Sequence, residues 1–156
     1  MCVRKVSCYD ITLVEVSHQQ IRALAEFRHQ IREFLHFSEK AARSAGVEPQ
    51  QHQLMLAIKA MEPEPASIRD LAERLLLRHH SAVGLVDRLE RSGAVRRMRS
   101  SADRRSAQVS LTPKGSRILH KLSLHHREEL KSAAPALIES LTLILHGTEP
   151  KHAKGA

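Results

Sequence analysis

The sequence predicts a mainly α-helical domain with a small β-wing, and three observations lead there. Apolar residues recur with helical i, i+3, i+4, i+7 spacing in two neighbouring stretches. These are Ile68, Leu71, Ala72 and Leu75, then Ala82, Leu85, Val86 and Leu89. After Gly93 the period switches to alternation in AVRRMRS and again in AQVSL, strand-like runs separated by the loop-like string SADRRS. Apolar residues make up 42% of the 156-residue chain but aromatics only 3%, so the core must be Leu, Ile, Val and Ala, which suits packed helices better than a β-sandwich. Two helices, a turn and a hairpin in that order make a winged helix-turn-helix. The length suits one compact domain with a real core.

Residues 1 to about 18 alternate only partly in YDITLVEV, and strand and helix readings both stand. From about Gln19 to Ala45 a long helix is expected. Ile21, Leu24, Ala25, Ile31, Phe34, Leu35, Ala42 and Ala45 give it an apolar stripe broader than one neighbour needs, so part of it is available to a second subunit. Gly46 stops this helix, and Pro49 suits the first turn of the next, where its missing N–H costs nothing. Leu54, Ala57, Ile58 and Met61 form that helix's core face, with His52 and Leu56 pointing away. MEPEPA is a breaker, after which Pro65 to Ser67 can add a very short third strand beside the wing.

Ser67 N-caps the helix SIRDLAERL, with Asp70 three residues on to suit the dipole. Gly93 closes the following helix, HHSAVGLVDRLERSG. Thr112 and Pro113 start another as N-cap and first-turn proline. Its apolar side is Ile118, Leu119, Leu122, His126, Leu130 and Ala133. Pro135 is expected to interrupt it, leaving a last helix from about Ala136 to Leu145. The tail GTEPKHAKGA is polar and expected to fray.

The formal net charge is +8 with histidine neutral, which draws the chain to polyanions. Its distribution says more than its total. Between Ser67 and Thr112 there are ten Arg, no Lys and five acids, and from Arg88 to Arg105 seven Arg face two acids. Arginine's planar fork bonds guanine edges or phosphates bidentately, whereas lysine acts more as a point charge. An Arg-only segment therefore favours nucleic acid over an anionic membrane. The bland alternative is a solvated charged hairpin, and the helix-turn-helix pattern in front of it weighs against that.

Opposite its apolar stripe, the second helix carries His80, Gly84, Asp87, Arg88 and Arg91. Its first turn, Arg78, His79, His80 and Ser81, presents guanidinium, imidazole and hydroxyl groups of the kind that meet base edges in a major groove. Gly84 leaves a bare patch on the same face. The candidate DNA-binding residues are thus Arg78, His79, His80, Ser81, Gly84 and Arg88, with Arg104 and Arg105 at the wing tip.

Two strings carry a resemblance. LVDRLERSGAVRR, with Leu85, Val86, Asp87, Arg88, Leu89 and Glu90, is followed by DRRSAQVSLTPKG, with Asp103, Arg105, Leu111, Thr112, Pro113, Lys114 and Gly115. In order and spacing they resemble the MarR family of bacterial transcriptional regulators, over roughly residues 20 to 145. The resemblance implies a single domain over 1–156, with a winged-helix DNA-binding lobe at about 47–112 and dimerisation helices at about 1–46 and 113–146. It further implies a homodimeric repressor on a pseudo-palindromic operator in double-stranded DNA, answering to a small-molecule effector and needing no cofactor. Asp103 would brace the hairpin through an arginine while Arg105 or Arg104 reaches the minor groove; the alternative is a surface ion pair of little energetic value. The family usually has a glycine in the turn and a polar cap before the reading helix. Here Leu76 and Arg78 stand at those places.

Eleven histidines invite a metal reading, but no HExxH or comparable ligand set is present, and His126 on an apolar stripe suits a hydrogen-bonded interface residue. Cys2 and Cys8 lack C-x-x-C spacing. Cys8, near Arg4 and Lys5, could serve as a redox-sensing thiol, yet Tyr9 is the chain's only tyrosine and the tyrosine constellation of thiol-sensing relatives is missing. No GxSxG elbow, phosphate-cradling glycine loop or paired-carboxylate signature supports an enzyme. A winged helix used only for protein contacts stays open, against the arginine density. No signal peptide or membrane-length apolar run is visible, so a cytoplasmic location is expected.

Overall fold

The computed structural model describes residues 16–99 and 107–146. Its elements are α1 (His18–Ser44), α2 (Pro49–Met61), β1 (Ala66–Ser67), α3 (Ile68–Arg74), α4 (His79–Arg91), β2 (Val95–Arg99), β3 (Ala107–Leu111) and α5 (Pro113–His146). The strands form an antiparallel sheet in the order β1-β3-β2, with Val95 opposite Leu111, Arg97 opposite Val109, and Ala66 pairing Val109 from the other edge. The short third strand at Ala66–Ser67 is therefore present. Cys2, Cys8, Tyr9, the SADRRS loop with Asp103, Arg104 and Arg105, and the polar tail lie outside the described residues.

The described residues fall into two units, one made of 33–132 and the other of 16–32 with 133–146. In the first, Leu54, Met55 and Ile58 of α2, Leu71 of α3, Leu85, Val86 and Leu89 of α4, and Val95 and Val109 of the sheet make one buried cluster with Leu119 of α5. The second joins the start of α1 to the end of α5, with Gln20 Nε2 donating to the Ile144 carbonyl at 3.2 Å. Its apolar residues are largely uncovered: Ile21 is 54%, Ile138 64% and Leu145 66% exposed.

Two expectations are corrected. His52 does not point away from the core but is 1% exposed, and Met55 beside it is fully buried. One stripe of helical spacing accounts for a single neighbour, whereas α2 is covered on a second side, where His52 meets His126 of α5. Pro135, expected to end a helix, lies inside a continuous α5. A proline removes the bond to the carbonyl four residues back and crowds that carbonyl; Lys131 is exposed, so water can satisfy the group and the helix continues on either side.

Three helices end in the same way. In α1, α3 and α4 the N–H of the residue after the C-cap donates to the carbonyl three residues back and the next N–H to the carbonyl five back, as in Leu76 N–H to Glu73 O at 3.2 Å and Leu77 N–H to Ala72 O at 2.9 Å. This motif needs a left-handed residue, which is Gly46 and Gly93 (φ 74° each) in α1 and α4 but Leu76 (φ 54°) in α3. Leu76 is also 94% exposed, so its side chain gains little to offset the strain. Leu76→Gly should stabilise the chain by about 1 kcal/mol, the cost of a left-handed L-residue less glycine's extra unfolded-state entropy. A urea midpoint that falls would show that the leucine contributes elsewhere.

Candidate nucleic-acid interface

α3 starts on Ser67, whose Oγ accepts from the Asp70 amide at 3.1 Å and donates to the Asp70 carboxylate at 2.7 Å. The strained turn at Leu76 then delivers the chain to Arg78, the extended N-cap of α4 (φ −69°, ψ 146°), which makes no side-chain capping bond. Ala82, Leu85, Val86 and Leu89 are buried as their spacing requires. That burial turns Arg78, His79, His80 and Arg88 outward, all exposed, with Ser81 and Gly84 half-buried between them. His80, Gly84 and Arg88 thus run along one outward side at i, i+4, i+8 with Ser81 beside them, while Arg78 and His79 are exposed at the start of the helix. Gly84 is less bare than expected: a Cβ built there would lie 3.6 Å from an Arg88 guanidinium nitrogen, so Arg88 partly covers the patch.

Asp87, opposite the apolar stripe as expected and with its side chain 45% exposed, is also engaged by the sheet. Arg97 of β2 donates through Nη2 to Asp87 at 2.5 Å, through Nη1 to Glu90 at 2.8 Å, and its backbone N–H reaches the other Glu90 oxygen at 3.0 Å. Burial alone would lower the guanidinium, but the hydrogen bonds and charges of Asp87 and then Glu90 outweigh it and hold Arg97 above its ordinary value. Three bonds from one residue fix the orientation of α4 relative to the wing strand. Sequence reasoning missed this clasp. Its signal was two carboxylates three residues apart on α4, a spacing that puts them on one helix side, followed by an arginine in the alternating strand.

The base of the wing is fixed from its other end by the first turn of α5. Thr112 donates through N–H to the Ala94 carbonyl at 3.0 Å and through Oγ1 to the Gly93 carbonyl at 2.7 Å, while Oγ1 caps the helix by accepting from the Gly115 amide at 3.1 Å. Lys114 Nζ adds a bond to the Ser92 carbonyl at 2.6 Å. Around the outward face of α4, Arg91 and Arg96 are exposed as well, and Arg96 bonds Ser110 across the sheet at 3.2 Å. No group of three or more possible metal ligands is present among the described residues.

Residues 45–106, which hold α2, β1, α3, α4 and β2, match the model of the MarR family. That stretch is similar to the MarR family, and the structure folds it as a winged helix. Over 90 residues it is 33% identical to the uncharacterized HTH-type transcriptional regulator YfiV of Bacillus subtilis (strain 168), covering 53% of this chain and 56% of that protein. The chain therefore spans about half the length of this curated relative. Among solved structures, AbsC, a MarR family transcriptional regulator from Streptomyces coelicolor, matches with a TM-score of 0.67 at 20% identity, over 85% of this chain and 93% of that one. A MepR–DNA complex of S. aureus matches with a TM-score of 0.65 at 17% identity, over 84% and 91%. At such identities the likeness is one of fold, and it is the MarR fold: mainly helical, with a small antiparallel wing. No described helix is long and apolar enough to cross a membrane.

Proposed function

We propose that this chain is a transcriptional regulator that binds double-stranded DNA sequence-specifically as a homodimer, repressing from a pseudo-palindromic operator until a small-molecule effector releases it. The observation that carries this reading is the outward polar turn of α4, held to an arginine-rich wing strand by Arg97. Arg78, His79, His80 and Ser81 would face base edges, Arg88 would hold the helix to phosphate, and Arg104 and Arg105 would enter the minor groove beside a hairpin braced by Asp103. Dimerisation would cover Ile21, Leu24, Ile138, Leu141 and Leu145, each more than two-fifths exposed. Helices at about 1–46 and 113–146 would supply that interface. For the effector, a groove of about 360 Å³ between Phe37, Ala41 and Leu122, rimmed by Lys40 and Lys121, suits an amphipathic anion.

Selection of bound duplexes from a random pool tests the reading. Recovery of a pseudo-palindrome, with a dimer in sedimentation at micromolar concentration, is the expected result. A stable monomer, or recovery of no sequence preference, would favour a winged helix used for protein contacts. On the recovered duplex, log affinity should fall with log salt by about 0.9 for each phosphate contact. Arg105→Ala should weaken binding and flatten that slope by about one contact; an unchanged slope would remove Arg105 from the interface.

A further inference from the structure

A buried histidine pair inside residues 33–132 serves neither the outward face of α4 nor the wing. The imidazoles of His52 on α2 and His126 on α5 stack with centroids 4.9 Å apart and planes 12° from parallel. They are 1% and 9% exposed. Phe34 and Phe37 of α1 meet the His126 ring edge-on, each at 5.9 Å. His126 Nδ1 lies 2.6 Å from the Leu122 carbonyl, which only accepts, so this nitrogen carries the ring proton. Nε2 is then free to accept from the Ser38 hydroxyl at 2.9 Å. His52 has no partner for either ring nitrogen among the described residues. From α1 the pair is faced by Phe34, Phe37 and Ser38, from α5 by His126 itself, and none of these contacts is a carboxylate. Glu33 and Lys40 on α1, Glu48 before α2, and His125 and Arg127 on α5 are exposed.

We propose that the His52–His126 stack is a proton-sensitive latch: neutral, it closes α2 onto α1 and α5, and on acidification it opens, loosens the seat of α4 and weakens DNA binding. A charge on His52 would sit in apolar surroundings with no hydrogen-bond partner for either ring nitrogen among the described residues. Burial first, and the charge of His126 second, push the His52 imidazole down from 6.5 to about 4. The folded-state value lies below the unfolded one, so this contribution to stability is complete above pH 6.5 and is lost as pH falls from 6.5 toward 4. At pH 5 the folding constant should be about thirtyfold smaller than at pH 8 from this residue alone. Since α2 also packs against α4, opening the latch reaches the reading helix.

The DNA step rests on the function proposed above, so the test separates it from the latch. Urea unfolding and ring-carbon NMR of the full chain are followed from pH 8 to 4 at fixed ionic strength, with affinity for the duplex recovered at pH 8. In the wild type, stability should fall steeply, the His52 ring should charge only well below pH 6.5, and duplex affinity should drop at least tenfold over the interval in which that ring charges. His52→Phe keeps a stacked ring without a titrating group and should flatten both dependences. A His52→Phe chain whose stability falls as steeply as the wild type overturns the latch. If that variant does not fold, a wild-type His52 ring that charges near pH 6.5 without loss of stability overturns it instead. Acid-sensitive folding with pH-independent duplex affinity overturns the coupling to α4. Recovery of no duplex at all counts against the DNA reading and leaves unfolding and ring titration to decide the latch.

Discussion

Gly115→Ala should destabilise the chain by about 3 kcal/mol or more, at or beyond the upper end of overpacking costs. A Cβ at Gly115 would fall 2.0 Å from the Ala94 carbonyl oxygen and 2.9 Å from its carbon. Neither atom belongs to a side chain that could swing away. Ala94 begins the chain's entry to β2, and its carbonyl also accepts from Thr112 at 3.0 Å, so the added methyl can be accommodated only by lifting α5 off the base of the wing. Gly84→Ala is the matched control. There the nearest atom is the far end of the Arg88 side chain at 3.6 Å, an ordinary contact. Replacing a mid-helix glycine with alanine should stabilise by about 0.5–1 kcal/mol. Urea unfolding of both variants would settle the comparison; a Gly115→Ala chain as stable as Gly84→Ala would mean that the α5 junction is not held as described.

Leu85→Ala should cost about 2–5 kcal/mol of folding free energy and weaken binding to every duplex alike, through loss of native protein. Leu85 is 2% exposed within the cluster that joins α2, α3 and the sheet. By contrast, His80→Ala and Ser81→Ala should leave unfolding almost unchanged, because His80 is exposed and Ser81 only half-buried. Their loss should fall on discrimination between the recovered operator and a scrambled duplex, by about 1–3 kcal/mol where a good base contact is removed. Thermal unfolding beside both affinities gives the answer. If the two polar variants melted early and kept their preference while Leu85→Ala stayed stable and lost it, the two faces of α4 would be inverted.

The helices of the lobe were legible because each needs only a local rule. Ser67, Gly46, Gly93 and the proline at 113 mark ends through their own backbone and capping chemistry, and the apolar positions of α3 and α4 recur with the helical period. The outward side of α4 follows from the same arithmetic, since burying one stripe leaves the other in solvent. Leu76 shows the limit of that reading: a missing glycine is visible in the string, but the left-handed backbone that the turn imposes on the leucine is a property of the closed turn.

Sequence by itself determined the element order, the helix-to-strand switch after Gly93, the helix-based core and the arginine-only charge of the wing region, because spacing and composition act between residues close in the chain. Tertiary structure decided where groups distant in sequence meet. It joined Asp87 to Arg97, buried His52 against His126 seventy-four residues away, and set the Gly115 backbone against Ala94. It also carried α5 through Pro135, where the bond that the proline removes falls at the exposed Lys131.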